Sequence, residues 1–145
     1  MGGRDMGVFN TLRISGSALT AERLRMDTIA NNLANVTSTR TAHGGPYQRQ
    51  VPVFASRTAE QPNKLGFRGA GVHVVGIHVD PSPARLVYEP SHPDADPEGY
   101  VAYPNVNVVT EMVDMISATR AYEANITLIN SSRNMALKAL EIGRG

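Results

Sequence analysis

An α+β architecture is expected of this chain: long N- and C-terminal helices packed as a coiled-coil-like pair, with a small β-rich middle and an extended proline-rich connector. Near the N-terminus Leu12, Leu19, Met26 and Leu33 recur every seven residues, and Phe9, Ile29 and Val36 widen the same apolar stripe. Near the C-terminus Met112, Met115, Thr119, Tyr122, Ile126, Ile129, Arg133, Ala136 and Leu140 recur at spacings of three and four, with Thr119 and Arg133 as faults in the seam. Between them lie short period-two runs broken by glycine and proline.

The first helix fills most of residues 1–36, and the polar run Asn35–Thr41 ends it before a turn at His43–Pro46. Tyr47, Arg49 and Val51 then alternate against Gln48 and Gln50 in a strand that reaches Phe54, with Pro52 favouring an edge position. Arg57–Gly71 reads as loop. Val72–Val79 is the clearest strand, and a bulge at Val75–Gly76 would bring Val72, Val74, Ile77 and Val79 to one face. Arg85–Glu89 is a shorter strand, and Pro90–Pro104 reads as an extended connector. Asn107 is placed to cap a helix over Val108–Ile142 that Gly143 stops. The division is therefore 1–36 N-terminal helix, 37–104 β-rich middle and connector, and 105–145 C-terminal helix.

As one helix the C-terminal segment would span roughly 50 Å at about 1.5 Å per residue, longer than any core the middle can offer. The two stripes can satisfy each other as an antiparallel or a parallel pair, but two helices in water leave apolar edges exposed. Other subunits are the natural remedy.

Composition narrows the function. The 145 residues carry 14 basic and 13 acidic side chains, a formal charge of +1, so the one-sided basic surface that phosphate backbones require is missing and nucleic acid is excluded as an expected partner. No cysteine is present, which removes disulfides, thiolate metal sites and cysteine nucleophiles. No apolar run has the length of a signal-peptide core or a membrane span.

Candidate chemistry is thin. Gly66, Gly69 and Gly71 space as G-x-x-G-x-G, the reverse of the dinucleotide fingerprint, and a strand rather than a helix follows, so a turn is expected. His92, Asp94, Asp96 and Glu98 could donate nitrogen and oxygen to a metal, against which stand the stiffening Pro93 and Pro97 and the lack of EF-hand spacing. His73 and His78 are too far apart along a strand to share an ion. Ser91 beside His92 and Asp94 has a triad's letters without the converging elements a triad needs. Asn31, Asn32 and Asn35 at the end of an apolar helix read either as capping or as an amide network between packed helices, in which each amide must find partners. Neither a catalytic residue nor a cofactor or metal site is expected; the candidate site is an assembly interface of Leu12, Leu19, Met26, Ile29, Asn31, Asn32, Leu33 and Asn35 with Met112, Met115, Tyr122, Ile126, Ile129 and Leu140. A cytoplasmic coiled-coil adaptor and a small metal-binding domain using His92, Asp94 and Asp96 are the alternatives.

Three stretches, Ser17–Thr41, Gly45–Phe54 and Val87–Arg144, closely resemble the FlgC family of flagellar basal-body rod proteins. ANNLANV (Ala30–Val36) is similar to a motif shared by rod and hook proteins, whereas SHPDAD (Ser91–Asp96), EGYV (Glu98–Val101), NVNVV and ATRAYEAN are more particular to this family. Ser56–Arg85 matches mainly by position. The resemblance implies a non-enzymatic subunit of the bacterial flagellum's proximal rod, exported unprocessed by the type III apparatus and assembled helically in the periplasm to transmit torque and support motility. It also implies helices packed as the inner tube wall, and as neighbours the proximal-rod proteins FlgB and FlgF, the distal FlgG, the adaptor FliE and the MS-ring protein FliF.

Overall fold

The computed structural model describes residues 5–58 and 69–145. In chain order the elements are α1 (Asp5–Ala34), β1 (Gln50–Thr58), β2 (Gly69–Val79), β3 (Arg85–Tyr88), β4 (Tyr100–Tyr103) and α2 (Val108–Gly143). Strands β1 and β2 pair in one two-stranded sheet, and β3 and β4 in another. The second is antiparallel, with Arg85 opposite Tyr103, Leu86 opposite Ala102, Val87 opposite Val101 and Tyr88 opposite Tyr100. The architecture is α+β, two long packed helices with small sheets between them in sequence.

Several boundaries differ from expectation for local reasons. The segment Pro90–Pro104 is not wholly connector: β4 forms inside it because Val101 is completely buried opposite Val87, and two turns fold the run before it. In those turns Ala95 N donates to His92 O and Gly99 N to Asp96 O. Strand β1 starts three residues later than Tyr47 and continues through Pro52 to Thr58, and β2 begins at Gly69, so both ends of the expected 57–71 loop are strand. Its centre, with Gly66, lies outside the described residues. On β2, Val72 and Val74 are half-buried while Val75, Ile77 and Val79 are exposed, so the expected common face is not covered within the chain. Asn107 caps α2 as its side chain predicts, Thr110 N donating to Asn107 Oδ1 at 3.1 Å.

The chain forms two compact units. One comprises Met1–Leu24, Val53–Gly76 and Ala118–Gly145; the other comprises Arg25–Pro52 and Ile77–Ser117. In the second unit the helices run antiparallel, since Arg25 of α1 pairs with Asp114 of α2 at 3.7 Å and Asn32, further along α1, meets Glu111, earlier on α2. Its interior holds Ile29, Val101, Pro104 and Val106 together with the polar Thr28, Asn32 and Glu111. Among the described residues, the buried side chains of the first unit are small, namely Ser15, Ala21, Ala118 and Ser132.

Within the first unit, Gly71 marks where β2 approaches α1. Its φ is +96°, and a Cβ there would strike Ser17 Oγ. That hydroxyl is doubly engaged, donating to Ile14 O at 2.7 Å and accepting from Val72 N at 3.0 Å. The Ser17 hydroxyl thereby ties the strand to a turn of helix at a point where the strand has no side chain.

Candidate assembly site

Two features of the structure could serve assembly: a buried polar junction at the roots of the helices, and the outward faces of the helices themselves.

The junction is built around Asn32, in the last turn of α1 and almost wholly buried. Its amide donates to Gln50 O at 2.9 Å and to Glu111 Oε2 at 3.0 Å. Its carbonyl oxygen accepts from Gln50 N at 3.0 Å and from the Tyr47 hydroxyl at 2.8 Å. Both donors and both acceptor positions are therefore used, which is what makes burial of a bare amide tolerable. By bonding both the N–H and the C=O of Gln50, the side chain takes the place of a neighbouring strand at the start of β1.

Glu111 lies in the first turn of α2 with no exposed surface. Such a carboxylate needs a paired cation and further hydrogen bonds. Arg49 Nε donates to Glu111 Oε1 at 2.5 Å, and Asn32 takes the other oxygen. The same guanidinium faces Asp114 at 3.5 Å and Asp80 at 3.8 Å, so one arginine is shared among three carboxylates. Its backbone is held as well, Arg49 N donating to Asn105 Oδ1 and Arg49 O accepting from Asp80 N, both at 2.8 Å. Asn105 in turn donates to Asp80 O and Ser82 O. Burial raises the Tyr47 phenol above its ordinary pKa, the Asn31 hydrogen bond pulling the other way and the Glu111 charge adding to the rise. The hydroxyl thus stays protonated, as its donation to Asn32 requires.

The neighbouring asparagines act locally. Asn31 Nδ2 donates to Tyr47 Oη at 3.0 Å; Asn35 Nδ2 returns to Asn31 O at 2.9 Å, and Ser38 Oγ donates to Asn35 Oδ1. Both readings of the asparagine cluster are thus realised, Asn32 as the network amide and Asn35 as a helix-end cap. Arg49 and Glu111 were not singled out by sequence reasoning. The available signals were an arginine on the same parity as Tyr47 and Val51 of an expected strand, and a glutamate one turn inside an asparagine-capped helix.

The acidic connector is occupied by protein groups. Thr39 Oγ1 donates to Asp94 Oδ2 at 2.9 Å and Arg40 pairs with Asp94 Oδ1 at 2.9 Å. Asp96 Oδ1 accepts from the Glu98 and Tyr100 amides, and His92 Nδ1 accepts from Asp94 N. His73 and His78 are exposed on β2. Among the described residues, no three His, Asp or Glu side chains converge as a metal site would require.

On the helices, the row facing the chain's own interior is displaced by a residue from the apolar seam wherever the two differ. On α2 the inward row is Glu111, Met115, Ala118, Tyr122, Asn125, Ile129, Ser132 and Ala136, all buried or half-buried. Met115, Tyr122 and Ile129 belong to both rows, whereas Met112, Ile126 and Leu140 stay exposed at 55%, 38% and 67%. At about 100° per residue, Val109, Met112, Val113 and Ile116 lie on the side of α2 opposite Glu111 and Ala118, and all four are exposed. On α1, Ile29 is buried; Leu12, Leu19, Met26 and Leu33 are half-buried along its flank, and Phe9 is exposed. Helix α2 thus turns small and polar groups inward at alternate positions while Val109, Met112, Val113 and Ile116 face outward. No helix among the described residues is long and apolar enough to cross a membrane.

The family described as "Flagella basal body rod protein" matches residues 12–40, and "Flagellar basal body rod FlgEFG protein C-terminal" matches residues 98–142. These segments take in most of the two helices, with Asn32 in the first and Glu111 in the second. The chain is 50% identical to a flagellar basal-body rod protein FlgC from Borreliella burgdorferi, over 97% of this chain and 100% of the relative. Proteins of the same name are 45% identical in Bacillus subtilis and 42% identical in Salmonella typhimurium, each over 96% of this chain and 100% of the relative. With identity at this level across nearly its full length, the chain belongs to the FlgC family of flagellar basal-body rod proteins.

Proposed function

We propose that this chain is a structural, non-enzymatic subunit of the proximal part of the flagellar rod, and that it joins the rod through the outward apolar faces of α1 and α2. The observation that carries this reading is the exposed stripe Val109, Met112, Val113 and Ile116, continued by Ile126, Leu137 and Leu140 further along α2. Apolar side chains at helical spacing on a face the chain leaves uncovered call for helices from other subunits. Contacts of that kind are made between different surfaces of successive subunits, and when they do not close into a ring they build a helical filament. Copies of the chain, FlgB, FlgF and the distal FlgG are the proposed helical neighbours, with FliE and the MS-ring protein FliF toward the base. Delivery by the type III export apparatus without a cleaved signal, and assembly in the periplasm, complete the reading. Torque would then pass through closely packed helices, whose low compressibility suits the task.

The test is a charge on the seam. Ile126→Asp puts a carboxylate where a neighbour's apolar surface is required, and an unpaired buried charge costs several kcal/mol at every subunit of the array. Ile126→Val is the control, which alters the same side chain but keeps its apolar surface. The expected outcome is loss of motility and of intact basal bodies for Ile126→Asp at a normal level of the protein by immunoblot, with Ile126→Val near wild type. Normal rods with Ile126→Asp would remove this face from the assembly interface.

A further inference from the structure

We infer that Arg49, Glu111 and Asn32 form a clasp that keeps Arg25–Pro52 and Ile77–Ser117 folded as one unit in the free subunit, before any partner covers the helices. The clasp joins three chain segments far apart in sequence. Asn32 lies on α1, Arg49 and Gln50 at the entrance to β1, and Glu111 on α2, with 79 residues between Asn32 and Glu111 and 62 between Arg49 and Glu111. Its members depend on one another. Asn32 can leave water only if Gln50 and Glu111 are in place, and Glu111 only if Arg49 and Asn32 are; an incomplete network leaves a buried amide or carboxylate without partners. Losing one contact therefore releases all three segments together. The same unit holds the large aliphatic side chains that are buried among the described residues, Ile29, Val101 and Val106. Among the described residues, the other unit's buried side chains are serine and alanine, with larger ones such as Leu12, Leu19, Tyr122 and Ile129 only half-buried, so less apolar area leaves water there to hold a helix pair. Order in the free chain should then begin near Arg25 on α1 and end near Ser117 on α2. On the rod reading given above, this unit is what a subunit brings to the rod already folded, and the outer helix parts order on incorporation.

Hydrogen exchange read by mass spectrometry on the purified full chain tests the clasp without requiring rods, so it can fail while the rod reading stands, and the reverse. Wild type should protect amides in 25–34, 50–52 and 108–117 well above those in 7–20 and 125–143. Glu111→Gln removes the charge from the clasp and should raise exchange at all three protected segments together by about tenfold or more, the scale of a lost charge-assisted hydrogen bond. Tyr47→Phe deletes one hydroxyl donor to Asn32 with little risk to folding, and should give a smaller rise at the same three segments. Asn125→Ala, which removes a local bond to Ala121 O, should leave them unchanged. Even protection along the full length of both helices in wild type would overturn the clasp, as would a rise confined to 108–117 in both Glu111→Gln and Tyr47→Phe.

Discussion

Asp80 illustrates how closely a single group here is tied to its surroundings. Hydrogen bonds from the Ser82 hydroxyl at 2.5 Å and the Ser82 amide at 2.9 Å hold its carboxyl below the ordinary range, with the Arg49 and His78 charges acting in the same direction and desolvation against them. A carboxylate whose pKa is depressed on folding contributes stability above its unfolded value and loses that contribution as pH falls through the folded one. Ser82→Ala should therefore move the Asp80 titration upward, toward an unperturbed aspartate, in a side-chain carboxyl NMR titration. An unchanged titration would mean that Arg49 and His78, not Ser82, set it. Of the residues that matter in the junction, the sequence exposed the asparagines, because three amides at the end of an apolar helix are conspicuous. It did not expose Arg49 or Glu111, whose role consists of contacts across dozens of residues that no local pattern encodes.

Among the elements, the helices were legible because period and capping agree over many turns, and Asn107 caps α2 as its type and position indicate. What periodicity left open was the direction of each face. A row selected for apolar character finds the large side chains, and on α2 several of these point away from the chain's own interior, where Glu111, Ala118, Asn125 and Ser132 sit instead. Strand β4 was hidden for another reason: four residues between Gly99 and Pro104 carry no usable alternation, and only pairing with β3 reveals them. The meeting of β2 with α1 depended on Gly71, which the sequence marked as a turn glycine without its partner. Gly71→Ala demands a left-handed backbone from an alanine and drives its methyl into Ser17, so it should lower stability by about 1–3 kcal/mol in urea denaturation. Gly76→Ala, whose Cβ would meet open space, should cost well under half as much. Equal effects would show that β2 is not held against α1 at Gly71.

Taken as a whole, the chain belongs to a family of rod proteins, and its second long helix carries several of its large apolar groups on the outside. On the reading proposed above, neighbouring subunits cover this outward face of α2 in the rod. The absence of cysteine makes a direct measurement possible, since one introduced thiol is the only one in the chain. Met112→Cys places that thiol on the exposed stripe, at a side chain 55% accessible in the subunit. Its maleimide labelling should be rapid in the purified chain and strongly suppressed in basal bodies isolated from motile cells carrying the same variant. Labelling as fast in those basal bodies as in the free chain would contradict the account, because the stripe would then be open to solvent in the assembled rod.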